Sequence, residues 1–289
     1  MYKLDQNYYK EKFLSSNEGF VRSNSVKGIR LKHYELVALS LLAKEQLLTS
    51  KQFRDILALF SPDTKGKTLT NRVARFNKKE IIGFIEAHPY VKNDYHKFYI
   101  KKYGVEILVE YGLLDRSWLE KSKYGKKRIK LLDGYLAAKE LIVSSYIASL
   151  KFNKEIEVFR PSYYNKLNMS KVMPNGIIAV NENLQLCIEV DTGSLSSSRI
   201  RDKIQSYIDL AKKQPQKQFV ILFATIDRTI PLRNQYNVVG KRRVNILRKI
   251  ADNHVELHST HNLDVRVKPV GDAKSWFSSL VEHGKMPLR

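Results

Sequence analysis

A chain of 289 residues with 51 Lys and Arg against 29 Asp and Glu carries a formal charge of +22 and 43% hydrophobic residues, enough apolar material for two cores and a field that attracts polyanions, nucleic acid first among them. No apolar run of about 18 residues occurs, and no basic segment precedes an apolar one near Met1, which argues against a membrane or secretory chain and makes a soluble, cytoplasmic protein the expectation. The single cysteine, Cys187, excludes a disulfide framework or a cysteine zinc site within one chain, and the lack of P-loop and dinucleotide glycine motifs removes a nucleotide-driven motor and a Rossmann enzyme.

Residues 1–30 show no sustained period and read as an N-terminal arm. From Leu31 to Leu48, Leu36, Leu39, Leu42 and Ala43 recur at helical spacing. Thr49 stands three before Gln52, the capping-box arrangement, and opens a second helix through Phe60 with Phe53, Ile56 and Leu57 inward. Thr68 can cap a third helix that turns Leu69, Val73 and Phe76 inward and carries Asn71, Arg72, Arg75, Lys78 and Lys79. Two short strands around a loop at 89–95 follow. Three helices and a β-hairpin make a winged helix over 31–115, whose third helix enters the major groove of duplex DNA. Asn71, Arg72 and Arg75 are candidates for bases; Lys92, His96 and Lys97 are candidates for phosphates. A helix from Tyr103 closed by Gly112 precedes the run Lys121, Lys123, Lys126, Lys127, Arg128 and Lys130, read as a basic linker over 116–130. Lys126, Lys127 and Arg128 join the DNA-binding candidates.

The second domain spans 131–289. Its first helix, 131–150, is expected to turn Leu132, Tyr135, Leu136, Lys139, Val143 and Ile147 to one side. Strands are expected at 155–160, 176–180, 184–191, 219–224, 255–260 and 263–268, and helices at 196–213, 238–253 and 273–283. The interleaving gives an α/β or α+β class with a mixed central sheet, and the apolar run Phe219 to Phe223 implies a sheet covered by helices on both faces. On the strand 184–191, Glu189 and Asp191 emerge on one face at the end of a hairpin. Two carboxylates so placed can hold a hard divalent cation or can simply be solvated strand-end groups. Arg199, Lys203 and Tyr207 share the face of the helix that follows. Lys203 and Arg199 read equally as a solvated, salt-bridged helix face and as phosphate contacts. Tyr207 reads as a ring packed in the core with its hydroxyl bonded, against the alternative of a nucleophile. His254, His258 and His261 read as surface histidines on a strand rather than as a zinc set. Lys241, Arg242, Arg243, Arg248 and Lys249 crowd one helix above the stripe Val244, Leu247 and Ile250; such mutual repulsion points to a phosphate-facing surface.

Over most of its length the chain resembles the replication-relaxation family of plasmids and mobile elements, a winged helix joined to a PD-(D/E)xK nuclease-like domain. The residues that carry the resemblance are Leu48-Thr49-Ser50-Lys51-Gln52-Phe53 in the first half, then Pro174-Asn175, Glu189-Val190-Asp191 and Arg199 to Tyr207. The resemblance implies Glu189 and Asp191 as ligands of Mg or Mn, Asn175 as a neutral ligand and Lys203 as the group that stabilises phosphoryl charge. Asn175 stands where that pattern has Asp, and Asp191 where the wider superfamily has Lys; the Asn175-Gly176 pair also reads as an ordinary turn. Three functions follow: a DNA-binding replication or mobilisation protein of a plasmid, bacterial and nucleoid-associated, with a degenerate nuclease core; a metal-dependent site-specific nickase or relaxase; or a winged-helix transcriptional regulator. The partners implied are double-stranded DNA, a second copy of the chain as a homodimer, and other replication or mobilisation proteins, with no membrane.

Overall fold

The computed structural model describes residues 2–3, 21–22, 29–60, 66–85, 96–120, 124–125, 132–152, 154–159, 161, 163–167, 172–193, 195–226 and 241–284. The chain is mixed α/β and falls into two compact units, Met1–Leu4 with Leu131–Arg289, and Asp5–Lys130. Within the expected N-terminal arm, β1 (Tyr2–Lys3) is an edge strand of the sheet in the unit that holds the C-terminus, and β2 (Val21–Arg22) pairs antiparallel with β3 (Arg30–Leu31). Backbone pairing orders these short pieces without any side-chain period that a sequence would display. The rest of 1–28 lies outside the described residues.

In the Asp5–Lys130 unit, α1 (His33–Glu45) buries Leu36, Val37, Ala38, Leu39, Leu41, Leu42 and Ala43, so it is apolar nearly all round and sits centrally. The expected capping box is present: Thr49 N donates to Gln52 Oε1 at 2.9 Å and Gln52 N to Thr49 Oγ1 at 3.2 Å. Thr49 ends β4 (Leu48–Thr49), and α2 (Ser50–Phe60) buries Phe53, Ile56 and Leu57. The next helix, α3 (Gly66–Lys78), begins before the expected cap Thr68 and buries Phe76. Strands β5 (Ile82–Ile85) and β6 (Lys97–Ile100) pair antiparallel, Phe84 opposite Phe98, in a three-stranded sheet ordered β4-β6-β5. The unit continues into α4 (Lys102–Glu110), followed by Gly112 at φ 69°, and a 3-10 turn, Arg116–Leu119, whose cap Asp115 accepts from Ser117 N at 2.9 Å.

The other unit opens with α5 (Leu132–Phe152), then β7 (Glu157–Phe159), the short α6 (Tyr163–Lys166), β8 (Gly176–Ala179) and β9 (Leu184–Asp191). It continues with α7 (Ser197–Lys213), β10 (Gln218–Thr225), α8 (Lys241–Asp252), α9 (Val255–Ser259), β11 (Leu263–Pro269) and α10 (Val270–His283). The six strands run in the order β1-β7-β8-β9-β10-β11, antiparallel up to β9 and parallel from β9 to β11. Parallel neighbours require crossovers, and α7, then α8 with α9, supply them. Cys187, Ile221 and Phe223 pack with Ile200, Ile204 and Tyr207 of α7 and Val244 and Leu247 of α8. On the opposite face lies α5, where a Cβ on Gly176 would come 3.1 Å from Ile142 Cδ1, and α10 packs beside α5. Every residue of β10 after Gln218 is therefore buried, as its continuous apolar run implies.

Two elements differ from the sequence reading. Buried on α5 are Ala138, Leu141, Ile142, Val143, Ser145, Tyr146, Ala148 and Ser149; of the expected face Val143 is among them, while Tyr135, Leu136, Lys139 and Ile147 are only half-buried. A helix packed both on a sheet and on α10 buries a wide face, Leu141, Ile142 and Tyr146 together with small residues, so one stripe at helical spacing does not define it. Residues 255–260, expected as a strand, contain the helix α9: Val255 is 84% exposed and Leu257 is partly buried on the core, so their alternation with polar residues imitates a strand without a buried apolar face. Among the described residues no helix is long and apolar enough to cross a membrane.

Candidate functional site

The carboxyl end of β9 brings the acids together on the face that α7 and α8 cover. Glu189 is 2% and Asp191 1% exposed, so each carboxylate needs a partner if it is to remain charged. For Glu189 the partners come from α7. Tyr207 Oη donates to Glu189 Oε1 at 2.7 Å, and Lys203 Nζ forms an ion pair with Glu189 Oε2. Lys203 and Tyr207 reach one carboxylate because residues four apart on a helix project side by side. Ser196 sets the start of that helix, its Oγ accepting from Arg199 N at 3.4 Å. Burial raises the Glu189 acid above the ordinary carboxylate range, against the opposing pull of Lys203 and Tyr207. Burial, with Glu189 next to it, pushes the Tyr207 phenol well up.

Asp191 is held from α8. Arg243 Nε lies 2.5 Å from Asp191 Oδ2 and Nη2 lies 2.9 Å from Oδ1, while Nη2 also donates to Leu195 O at 2.8 Å. This two-pronged bond to Asp191 raises the Arg243 guanidinium further, desolvation opposing it. Asn175 is not at a hairpin turn. Its N donates to Ile188 O at 2.8 Å and its Oδ1 accepts from Val190 N at 2.8 Å, so it adds a rung to the β8–β9 ladder beyond Gly176. Thr225 faces Asp191 in the register of β9 and β10, and its buried Oγ1 has no hydrogen-bond partner. Beyond Glu189, Tyr164 Oη donates to Gln185 Oε1 at 2.6 Å, and burial drives the Cys187 thiol up to about 12, which keeps it from acting as a nucleophile.

These donors do not fit a divalent cation as they are arranged. Mg²⁺ takes oxygens at about 2.0–2.1 Å in a near-octahedral set. Here the carboxylates are occupied by Lys203 and Arg243, and the Asn175 carbonyl by a backbone N–H. Among the described residues no third His, Cys, Asp or Glu joins the two acids in a metal-binding set.

The sequence-derived nucleic-acid candidates are placed unevenly. On α3, Asn71 and Lys78 are exposed and Arg75 and Lys79 half-buried. Arg72 is turned inward instead, donating through Nη2 to Arg30 O at 3.2 Å and paired with Glu35, which is 1% exposed and also accepts from Lys32 N at 2.8 Å. A buried carboxylate competes with water for this guanidinium, so Arg72 is engaged within its own unit rather than standing free on the helix surface. Lys97 is buried rather than offered to phosphate, because β6 carries it into the sheet opposite Ile85. His96 is exposed against the ring of Phe84. Arg199 is exposed on α7, one turn before Lys203, and has no side-chain partner among the described residues. Arg243, expected on the outer face of its helix, is the internal partner of Asp191. Its spacing of four from Leu247 and seven from Ile250 places it on the same stripe, and that spacing was the signal for an inward arginine. Lys92, Lys126, Lys127 and Arg128 lie outside the described residues, as do the side chains of Lys241 and Arg242. His254 precedes α9 with a buried, unpartnered Nδ1, and His258 Nε2 is 2.8 Å from Asp252 O. No protein-family model, no curated protein and no solved structure matches this chain.

Proposed function

We propose that this chain binds double-stranded DNA in the replication or mobilisation of a plasmid or related element, using an N-terminal winged helix and a nuclease-like domain that no longer cleaves. Three elements, α1 to α3, a hairpin β5–β6, and a sheet ordered β4-β6-β5 support the winged-helix part of the reading. The hairpin β8–β9, its terminal acids and the helix α7 support the nuclease-like part. The observation that carries the non-cleaving assignment is that Glu189 and Asp191 each close on an internal cation, Lys203 and Arg243. In such pairs each carboxylate already has its counter-charge, so a metal would have to displace Lys203 or Arg243 to bind.

Duplex affinity is expected to fall steeply with salt. If six or more phosphates are neutralised, log affinity drops by about 0.9 per phosphate per decade of salt, roughly 10³-fold between 50 and 200 mM. Fluorescence anisotropy of a labelled duplex checks this, and affinity that stays level over that range rules out the proposal. With supercoiled DNA and Mn²⁺ the wild-type chain is expected to leave the substrate closed; conversion to the nicked circle would instead establish the metal-dependent nickase.

A further inference from the structure

Phe84 is 40% exposed on β5, beside a helix rich in cations. An isolated exposed apolar side chain needs no special explanation. This one borders a depression of about 500 Å³ within the Asp5–Lys130 unit, lined also by Arg54, Val73, Asn77, His96 and Phe98. The ring of Phe84 meets that of His96 edge to face, centroids 5.4 Å apart and planes at 76°. The Asn77 carboxamide is half-buried in the lining and has no hydrogen-bond partner among the described residues. Lys78, the next residue, is exposed, and Arg54 spends Nε on Ser50 O at 3.2 Å. The depression thus combines an aromatic face, an amide without a hydrogen-bond partner among the described residues, and nearby positive charge.

A phosphate alone would gain nothing from the aromatic side of such a pocket. Paired bases keep their faces stacked inside the duplex, whereas an unpaired base offers an apolar face for stacking and a polar edge for an amide. We infer that this depression receives one unpaired nucleobase of DNA, stacked on Phe84 with its edge bonded to Asn77 and its backbone neutralised from α3. The inference rests on the DNA-binding reading and adds that the protein prefers sites where the helix has opened.

The test uses the full chain and two labelled duplexes of equal length, one fully paired and one with a central unpaired segment, compared by anisotropy. Base stacking on an aromatic residue is expected to favour the opened DNA by about 10-fold. Phe84→Ala is expected to abolish that preference while retaining affinity for the paired duplex, which also reports that the variant is folded. Phe84→Tyr should restore the preference, and Asn77→Ala should weaken it several-fold. Equal binding of both DNAs by wild type, or a preference that survives Phe84→Ala, overturns the inference and leaves duplex binding standing. Binding of neither DNA overturns both.

Discussion

Replacing Arg243 with methionine is expected to lower the free energy of unfolding by about 3–5 kcal/mol, the usual loss when one partner of a buried ion pair is removed. The magnitude follows from Asp191, 1% exposed, to which Arg243 donates two bonds. Leu195 O would also lose the donor that fixes the turn before α7. The double variant Asp191→Asn with Arg243→Met removes the stranded charge and is expected to regain most of the loss. Urea denaturation of the wild type, the two single variants and the double variant gives the coupling between the residues. A single-variant loss below about 1 kcal/mol would contradict the placement of this pair in the interior. The same proteins bear on function. If Asp191 serves the fold rather than a metal, the double variant keeps its duplex affinity.

The secondary structure of the C-terminal unit was largely legible. Leu184–Asp191 coincides with its expected span, and α7 and β10 differ from theirs by a residue or so. Apolar runs bounded by polar turns fix such elements locally. Chain-distant pairing is a different matter. Nothing near Tyr2 announces that it lies opposite Val158, because strand pairing over that separation is decided by backbone hydrogen bonds rather than by side-chain pattern. The candidate site divides in the same way. Parity alone put Glu189 and Asp191 on one face, and helical spacing put Lys203 and Tyr207 beside each other. Counting cations on α3 and α8 treated them all as outward. Burial separates them, since Arg72 and Arg243 answer Glu35 and Asp191 while Lys78 and Lys249 remain exposed. A buried acid draws a cation towards it, fully inward for Arg243 and only partly for Lys203, and reading that requires knowing which acids are buried.

Lys203→Met should destabilise the protein in a manner set by pH. Burial holds the Glu189 acid above its ordinary range even with Lys203 in place, and losing Lys203 removes the largest opposing pull. An acid whose folded value exceeds its unfolded value, about 4.3 for glutamate, binds its proton more tightly in the folded state. Its unfavourable contribution is absent below the unfolded value, grows as pH rises towards the folded one, and is constant above that. The variant has the higher folded value, so its deficit relative to wild type is fully developed near neutral pH and shrinks as Glu189 takes up its proton. Lys203 is 34% exposed, and water screens part of the interaction, so the deficit at pH 7 is expected at about 2 kcal/mol rather than the full value for a sealed pair. Urea unfolding of both proteins at pH 7 and pH 5 measures it. Adding Glu189→Gln to Lys203→Met should flatten the pH dependence, because the amide has no proton to gain. A deficit that persists unchanged at pH 5 would show that Glu189 carries the same charge at both pH values and would overturn the pH dependence expected of this pair.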